Sequence, residues 1–187
     1  MSVRSLSLPP VSVLADYYYP AGGNLSPSDF GKFMFPHPED QADYKYPDDG
    51  LLQAFGIVKD NEIRQPKHLD ANGENALLVV KNGLTTGTTI GRANGLDSFI
   101  RIYAEYGIEH TSIETAILSY DKQRAPFSAP GDSGSIILDR AGRIVALLIG
   151  GSGTTDETDV SYGTPYWWLE EQIKKTFPDC HLYQVVG

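Results

Sequence analysis

Prolines and glycines dominate the first third of the chain, and regular hydrophobic spacing begins only near residue 76. Residues 1–30 are interrupted by prolines and glycines at short intervals, and residues 31–50 continue as acidic, proline-containing sequence. Because both residue types break regular elements, this pattern predicts a loop-rich N-terminal arm over residues 1–75. Within it, an aspartate followed by apolar residues predicts one short helix over 49–55.

Short apolar or alternating runs separated by turn residues fill residues 76–187. Asn94-Gly95, a dipeptide typical of tight hairpins, predicts a turn between the second and third of these runs. Pro165 predicts the start of a C-terminal helix over 166–177. The spacing indicates an all-β fold, a six-stranded antiparallel Greek-key barrel with a C-terminal helix. Six or seven short strands are predicted, over 76–81, 86–93, 98–106, 114–120, 136–139, 144–149 and 160–164.

One polar turn, Gly131-Asp132-Ser133-Gly134, precedes an apolar strand and carries the candidate chemistry. Glycines on both sides of Ser133 permit a backbone turn that side chains would block. The N–H groups of Gly131 and Ser133 can then point to one spot beside the Ser133 hydroxyl. Acyl transfer needs such donors because an oxyanion develops beside the nucleophile. Ser133 is therefore the candidate nucleophile and the Gly131 N–H a candidate oxyanion donor; the structural alternative is a glycine-rich turn with a solvent-facing serine.

A different hydrolase motif, Gly-x-Ser-x-Gly on a strand-to-helix turn, does not fit this stretch. Its last glycine is replaced here by Ser135. The residues that follow are β-branched and lead into a hairpin, so no helix is predicted behind the serine.

Three segments resemble parts of the second barrel of trypsin- and chymotrypsin-like serine proteases. Along the chain they follow one another in the same order as in that family. Residues 129–138 resemble the stretch in which Gly-Asp-Ser-Gly surrounds the nucleophile. Residues 81–91 resemble the strand-turn-strand that opens this barrel in fungal-type members, and 162–169 resemble its last strand and helix. Residues 24–30 and 46–52 are similar to the preceding connecting region. The resemblance implies a serine-type endopeptidase divided into a connecting region, 1–75, and a C-terminal barrel, 76–187.

The same resemblance implies a substrate pocket. The residue six positions before the nucleophile, Phe127, lies at the pocket floor in this family, and the walls come from Gly150, Gly151 and Ser152 and from the segment around Gly163. A floor without a carboxylate implies an apolar, shallow pocket that does not favour Arg or Lys side chains. The alternative for Phe127 is core packing.

Asp132 can pair with a nearby cation in related proteases. Lys122 and Arg124 are the candidates that the sequence offers here.

The catalytic histidine and aspartate of the family cannot be assigned. The histidine comes about 140 residues before the serine in the template, whereas only 132 residues precede Ser133. His37, with Asp40 and Asp43 close by, is the best placed by chain order. His68, His110 and His181 have no local signature and are interpreted as structural, with His110 in a predicted turn after a strand. Three hypotheses stay open: a fragment that lacks the first barrel, a catalytically inactive protease-like binding domain, and an active hydrolase with an unusual base.

The composition and net charge of the chain limit the kinds of molecule that it is expected to bind. The chain has 187 residues with a net charge of −9, which argues against nucleic acid and anionic membranes as partners. No signal peptide is recognised and Cys180 is the only cysteine, which favours a reducing, cytoplasmic location. No metal or other cofactor is expected, because no motif with ligand spacing occurs. The expected partners are a peptide or protein substrate and either a separate first barrel or a second copy.

Overall fold

A computed structural model describes residues 18–20, 25–43, 51–103, 107, 109–120, 126–153 and 160–182. Three helices occur there: α1 (Pro27–Met34), α2 (Asp60–Arg64) and α3 (Tyr166–Thr176), with a 3-10 turn at Asp40–Asp43. The strands are β1 (Tyr18–Pro20), β2 (Leu51–Gln53), β3 (Leu77–Gly83), β4 (Gly87–Tyr103), β5 (Glu109–Ser119), β6 (Ile136–Asp139), β7 (Ile144–Ser152) and β8 (Val160–Pro165).

Six of the strands form a closed antiparallel barrel in the order β3-β4-β5-β8-β7-β6. Two consecutive three-stranded meanders, β3–β5 and β6–β8, join along the edges β3–β6 and β5–β8. The predicted six-stranded barrel with a C-terminal helix is confirmed, because the alternating runs and turn residues fix strands whose apolar faces need a common interior.

The hairpin predicted at Asn94-Gly95 is wrong, since β4 runs without a break through this dipeptide. The pairing of β4 with β5 shifts register between Ala93 and Asp97, so the dipeptide lies in a bulge. Asn94 Oδ1 accepts a hydrogen bond from the Leu96 N–H at 3.1 Å, which closes a local turn without reversing the chain. A bulge bends a strand but leaves its direction unchanged.

Two further local predictions are wrong. Leu51–Gln53 is a strand paired with Tyr18–Pro20, where the sequence predicted a helix; cross-strand pairing overrides the weak helical signal of a short segment. His110, read as part of a turn, lies in β5 opposite Ile102.

Apolar side chains form two clusters on the two sides of the barrel wall. The interior cluster is centred on Val79, Ile117, Phe127 and Val145. The second cluster lies where α1 packs on the outside of β3 and β6, and its members are Leu25, Phe30, Met34, Phe35, Ala76, Leu78, Val80, Leu138 and Ile144. The N-terminal arm therefore contributes to the packing of the barrel. The predicted domain boundary between residues 75 and 76 stays a prediction.

None of the helices within the described ranges is long and apolar enough to cross a membrane.

Candidate active site

The turn before β6 holds Ser133 in an exposed position between two glycines with positive φ. Gly131 has φ +103° and Gly134 φ +90°, conformations that residues with a side chain rarely adopt. A Cβ at Gly131 would also meet Thr85 Oγ1 at 2.5 Å, whereas a Cβ at Gly134 would meet nothing within 4 Å. The sequence prediction that these glycines shape a special turn agrees with both conformations.

Hydrogen bonds fasten this turn to β7. The Gly134 N–H donates to the Leu148 carbonyl at 2.8 Å, and the Leu148 N–H donates to the Ser135 carbonyl at 2.9 Å. The Ser135 hydroxyl donates to the Asp132 carbonyl at 2.7 Å. Ser133 is thus presented by a backbone that is held on both sides.

The Asp132 carboxylate, which is fully buried, is the main anchor of the turn. Its Oδ1 accepts from the N–H of Thr85 at 2.7 Å and of Thr86 at 3.2 Å. Its Oδ2 accepts from the Thr86 hydroxyl at 2.7 Å and from the Ala129 N–H at 3.0 Å. These bonds tie the turn to the loop between β3 and β4, and the carboxylate lies so close to Gly83 that a Cβ there would overlap it.

The cation that pairs with Asp132 is Lys81. Its Nζ lies 3.3 Å from Asp132 Oδ2, and neither side chain has exposed surface. Lys81 also donates to the Thr86 hydroxyl and to the Gly87 carbonyl. Lys122 and Arg124, the cations proposed from the sequence, lie outside the described residues.

Burial and hydrogen bonding act in opposite directions on this pair. Burial would raise the pKa of the Asp132 carboxyl, but the Thr86 hydroxyl and the backbone N–H groups outweigh it and lower the pKa to about 2. Burial lowers the pKa of Lys81, and the Asp132 charge offsets only part of that effect. Asp132 is therefore a carboxylate at neutral pH, held by at least five polar contacts.

Ser133 itself has one weak hydrogen bond: its hydroxyl donates to the Ile149 carbonyl at 3.3 Å. Ile149 lies at a register shift in the pairing of β7 with β8. Within the described ranges, the N–H groups of Gly131 and Ser133 have no hydrogen-bond partner. The turn thus offers two free donors next to an accessible hydroxyl.

All four histidines lie among the described residues, and none is bonded to Ser133. His37 Nε2 lies 2.8 Å from the Asp70 carbonyl, and His181 Nδ1 lies 3.3 Å from the Asp179 carbonyl. Burial lowers the pKa of His68, and His110 is exposed on β5. The general base therefore stays unassigned, because no histidine is hydrogen-bonded to Ser133.

Phe127 has no exposed surface and packs inside the barrel. Its ring lies 5.7 Å from Lys81 Nζ, and its carbonyl accepts from the Thr89 hydroxyl at 2.7 Å. A side chain at Gly91 would overlap the ring. The ring is part of the interior cluster, and its role as a pocket floor stays a prediction.

The predicted pocket walls lie on β7 and β8. Gly151 is opposite Ser161, and a Cβ at Gly151 would lie 3.8 Å from Ser128 Oγ. Ser128 Oγ is 2.6 Å from Ser161 Oγ, so these three residues meet at one place. Gly150 and Ser152 flank Gly151 on β7. Gly163 lies farther along β8, where a Cβ would meet Ala146 Cβ at 2.9 Å.

The site predicted from the sequence did not include Lys81, Thr86 or Ser128. For Lys81 a signal existed, because it follows Leu77 and Val79 at the two-residue spacing of a strand and therefore points into the barrel. A lysine at a core position needs a carboxylate partner. Thr86 and Ser128 had no such signal, since threonine and serine are common in turns.

Across the described ranges, no group of three or more His, Cys, Asp or Glu side chains is placed to hold a metal ion. The expectation of no metal stays a prediction.

No protein-family model matches the sequence, and no curated protein is significantly similar to it. In its fold, the chain has a distant similarity to chymotrypsin-like serine proteases. Cellulomonas bogoriensis chymotrypsin matches at 19 % identity with a TM-score of 0.42, over 72 % of this chain and 57 % of that one. Thermobifida fusca protease A matches at 16 % identity and a TM-score of 0.42, over 71 % and 56 %.

A protease from M. tuberculosis in its active form matches at 15 % identity with a TM-score of 0.41, over 76 % of this chain and 64 % of that one. This chain thus spans little more than half the length of the first two proteases that it matches. Similarity at this level concerns the fold alone.

Proposed function

We propose that this chain is the second barrel of a serine-type endopeptidase and that Ser133 is its acyl-accepting nucleophile. The observation that carries the proposal is the Asp132 anchor, which holds the turn while the N–H groups of Gly131 and Ser133 stay unpaired. Free backbone donors in a preorganised turn can stabilise an oxyanion without rearrangement during the reaction. The buried Lys81–Asp132 pair lies beneath the exposed serine and holds the turn in one conformation.

The general base in this proposal comes from outside the described residues, either from another segment or from another chain. A serine hydroxyl is a weak nucleophile unless a base removes its proton. Ser133 donates only to a backbone carbonyl, which cannot serve as that base. We therefore expect the isolated chain to hydrolyse peptide esters no faster than Ser133→Ala.

The substrate pocket proposed for this enzyme is formed by Phe127, Gly150, Gly151, Ser152 and Gly163. Its residues are apolar or uncharged, so a cationic substrate side chain would find no carboxylate partner. Ser128, which meets Gly151 and Ser161, adds a hydroxyl to this region. An uncharged substrate side chain is the class that fits.

Adding imidazole tests whether Ser133 is reactive once a base is present. Imidazole would take the Oγ proton while Oγ bonds to the phosphorus of a fluorophosphonate and fluoride leaves. We expect slow labelling of the wild type without imidazole and a rate that rises with the concentration of neutral imidazole. Ser28→Ala, which removes an exposed serine hydroxyl of α1 outside this turn, is the matched control and should label like the wild type. The proposal would be contradicted if the wild type were labelled at the same rate at every imidazole concentration and no faster than Ser133→Ala.

A catalytically inactive binding domain is the second candidate, and one observation favours it. The Ser133 hydroxyl is turned to the Ile149 carbonyl, and no histidine bonds to it. In that case the turn would serve only to shape a peptide-binding surface, and no imidazole concentration would make Ser133 reactive.

A further inference from the structure

The strands β4 and β5 continue beyond the barrel as a two-stranded ribbon, residues 97–103 paired with 109–115. β3 pairs with β4 only up to Ala93, and β8 pairs with β5 only from Thr115. Within the part of the chain that the structure describes, no strand pairs with the outer edge of 97–103, which we call the ribbon edge. Its outward N–H and C=O groups are available to another strand.

The ribbon edge carries large exposed apolar side chains. Phe99 is 76 % exposed and Tyr103 70 % exposed, and both lie on one face because their spacing is even. Ile113, which pairs with Phe99 from β5, is also exposed on that face. Native edge strands are commonly protected by charged side chains, lysine above all, by proline or by a bulge. Residues 97–103 contain neither lysine nor proline, and the bulge in β4 lies before them.

The charges on the ribbon edge are complementary to those on the ribbon edge of a second copy. Asp97 and Arg101 lie two residues on either side of Phe99. Antiparallel pairing of two copies about a two-fold axis at Phe99 places Asp97 of each copy opposite Arg101 of the other. Opposite charges at facing positions stabilise strand pairs. On the outer edge of β5, an axis at Thr111 would place Glu109 opposite Ile113, so that register brings no opposite charges together.

Existing contacts already orient both charges at the edge. Arg64 holds the Asp97 carboxylate through two hydrogen bonds of 3.0 and 2.9 Å. Arg101 pairs with Glu109 and lies 5.1 Å from the centre of the Tyr103 ring. A carboxylate has four acceptor positions and a guanidinium five donors, so each group can take a further partner.

We propose that the ribbon edge is a homodimer interface. Two copies pair β4 with β4 in antiparallel orientation about Phe99, with two Asp97–Arg101 pairs across the interface and the two Phe99 rings at its centre. The contact is isologous and therefore closes at two subunits, which prevents the open-ended growth expected of an unprotected edge. This inference does not depend on acyl transfer at Ser133.

Charge reversal provides the test. Arg101→Asp and Asp97→Arg each replace two opposite-charge pairs by two like-charge pairs, so each variant alone should raise the dimer dissociation constant about tenfold or more. A mixture of the two variants restores both opposite-charge pairs and should form a one-to-one heterodimer. Sedimentation velocity over a concentration series up to about 1 mM, with circular dichroism to verify folding, measures these states.

Phe99→Thr keeps strand propensity and should also weaken the dimer, which guards against a folding defect in the charge variants. Leu84→Thr is the matched control, because Leu84 is 92 % exposed in the turn between β3 and β4 and outside the proposed interface. A monomeric wild type throughout the series would overturn the proposal. A dimer unaffected by the ribbon variants, or a mixture that stays monomeric, would overturn it as well.

Discussion

Asp132 is the residue whose charge most directly supports the turn that presents Ser133. It is fully buried, and its carboxylate is satisfied by Lys81, by the Thr86 hydroxyl and by three backbone N–H groups. A buried charge is destabilising unless it is paired and hydrogen-bonded. Because these contacts come from the loop between β3 and β4 and from Ala129, one side chain fixes two loops against each other.

The lowered pKa of Asp132 makes a prediction about acid stability. Its folded-state pKa of about 2 lies below the unfolded value, so its contribution is complete above about pH 4 and disappears as the pH falls towards 2. The expected contribution is about 2 kcal/mol. Urea unfolding of wild type and Asp132→Asn between about pH 2 and pH 7 measures it.

Asp40, Glu62 and Asp70 also have lowered pKa values, so the difference between the two proteins is the informative quantity. We expect Asp132→Asn to be less stable at neutral pH and to lose less stability than the wild type on acidification. Parallel pH profiles for the two proteins would contradict the assignment of this contribution to Asp132.

Gly131 is expected to tolerate alanine less well than Gly134. Both have positive φ, which should destabilise either alanine variant by about 1 kcal/mol or more. At Gly131 the new Cβ also meets Thr85 Oγ1, so Gly131→Ala should lose additional stability. Thermal unfolding of both variants measures the difference.

The double variant Gly131→Ala/Thr85→Ala isolates this contact. Removing Thr85 Oγ1 eliminates the overlap, so the second substitution should be less destabilising in the Gly131→Ala background than in the wild type. Additive effects of the two substitutions would show that Thr85 does not restrict Gly131.

The sequence indicates the glycine–serine pattern of the turn but not the buried ion pair that supports it. Ser133, Gly131 and Gly134 indicate a special turn because only glycine adopts the flanking conformations readily. The partner of Asp132 is separated from it by 51 residues in the chain, and only the strand alternation at Lys81 indicated that this lysine is buried. Which carboxylate it meets depends on barrel closure, which no local pattern specifies.

Among the elements, β4 departs most from the sequence prediction. The sequence predicted two strands joined by a turn at Asn94-Gly95, and the structure has one strand of 17 residues with a bulge. Gly95 contacts the last turn of α2, where a Cβ would lie 2.8 Å from the Arg64 carbonyl oxygen. The dipeptide is compatible with both a hairpin and a bulge, and the packing of α2 against β4 decides between them.

This packing predicts that Gly95→Ala is destabilising by about 1 to 3 kcal/mol, because the Arg64 backbone has to shift. Gly150→Ala is the matched control: Gly150 lies in β7 without a positive φ, and a Cβ there would meet nothing within 4 Å. Denaturant unfolding compares the two variants. Equal stability of Gly95→Ala and Gly150→Ala would contradict the close approach of α2 to β4.

The helix α1 has a helix-capping sequence that was not recognised, because prolines and glycines surround it. Pro27 stands in the first turn, and the Ser26 hydroxyl accepts from the Asp29 N–H at 3.1 Å, as helix-capping residues do. The segment has only eight helical residues, so its stability depends on burying Phe30 and Met34 against the barrel. That tertiary contact could not be read from the arm alone.

For the molecule as a whole, the barrel was predictable, whereas the residues that would complete the proposed active site were not. Alternating strands and turn residues specify a closed sheet, and the arm adds α1 to the outer side of β3 and β6. The proposed chemistry, in contrast, requires a base that reaches Ser133 from beyond the described residues. A local sequence pattern can indicate a candidate nucleophile and its turn. It does not indicate which distant residues lie next to that turn in the folded protein.

Peptide mapping of the phosphonylated chain tests whether Ser133 is the nucleophile. After reaction with a fluorophosphonate in the presence of imidazole, mass spectrometry locates the modified residue. We expect one adduct, on Ser133, that depends on imidazole and is reduced in Gly131→Ala, where the proposed oxyanion donor would be displaced. Modification spread equally over other serines, or no adduct on Ser133 at any imidazole concentration, would contradict the assignment of Ser133 as the nucleophile.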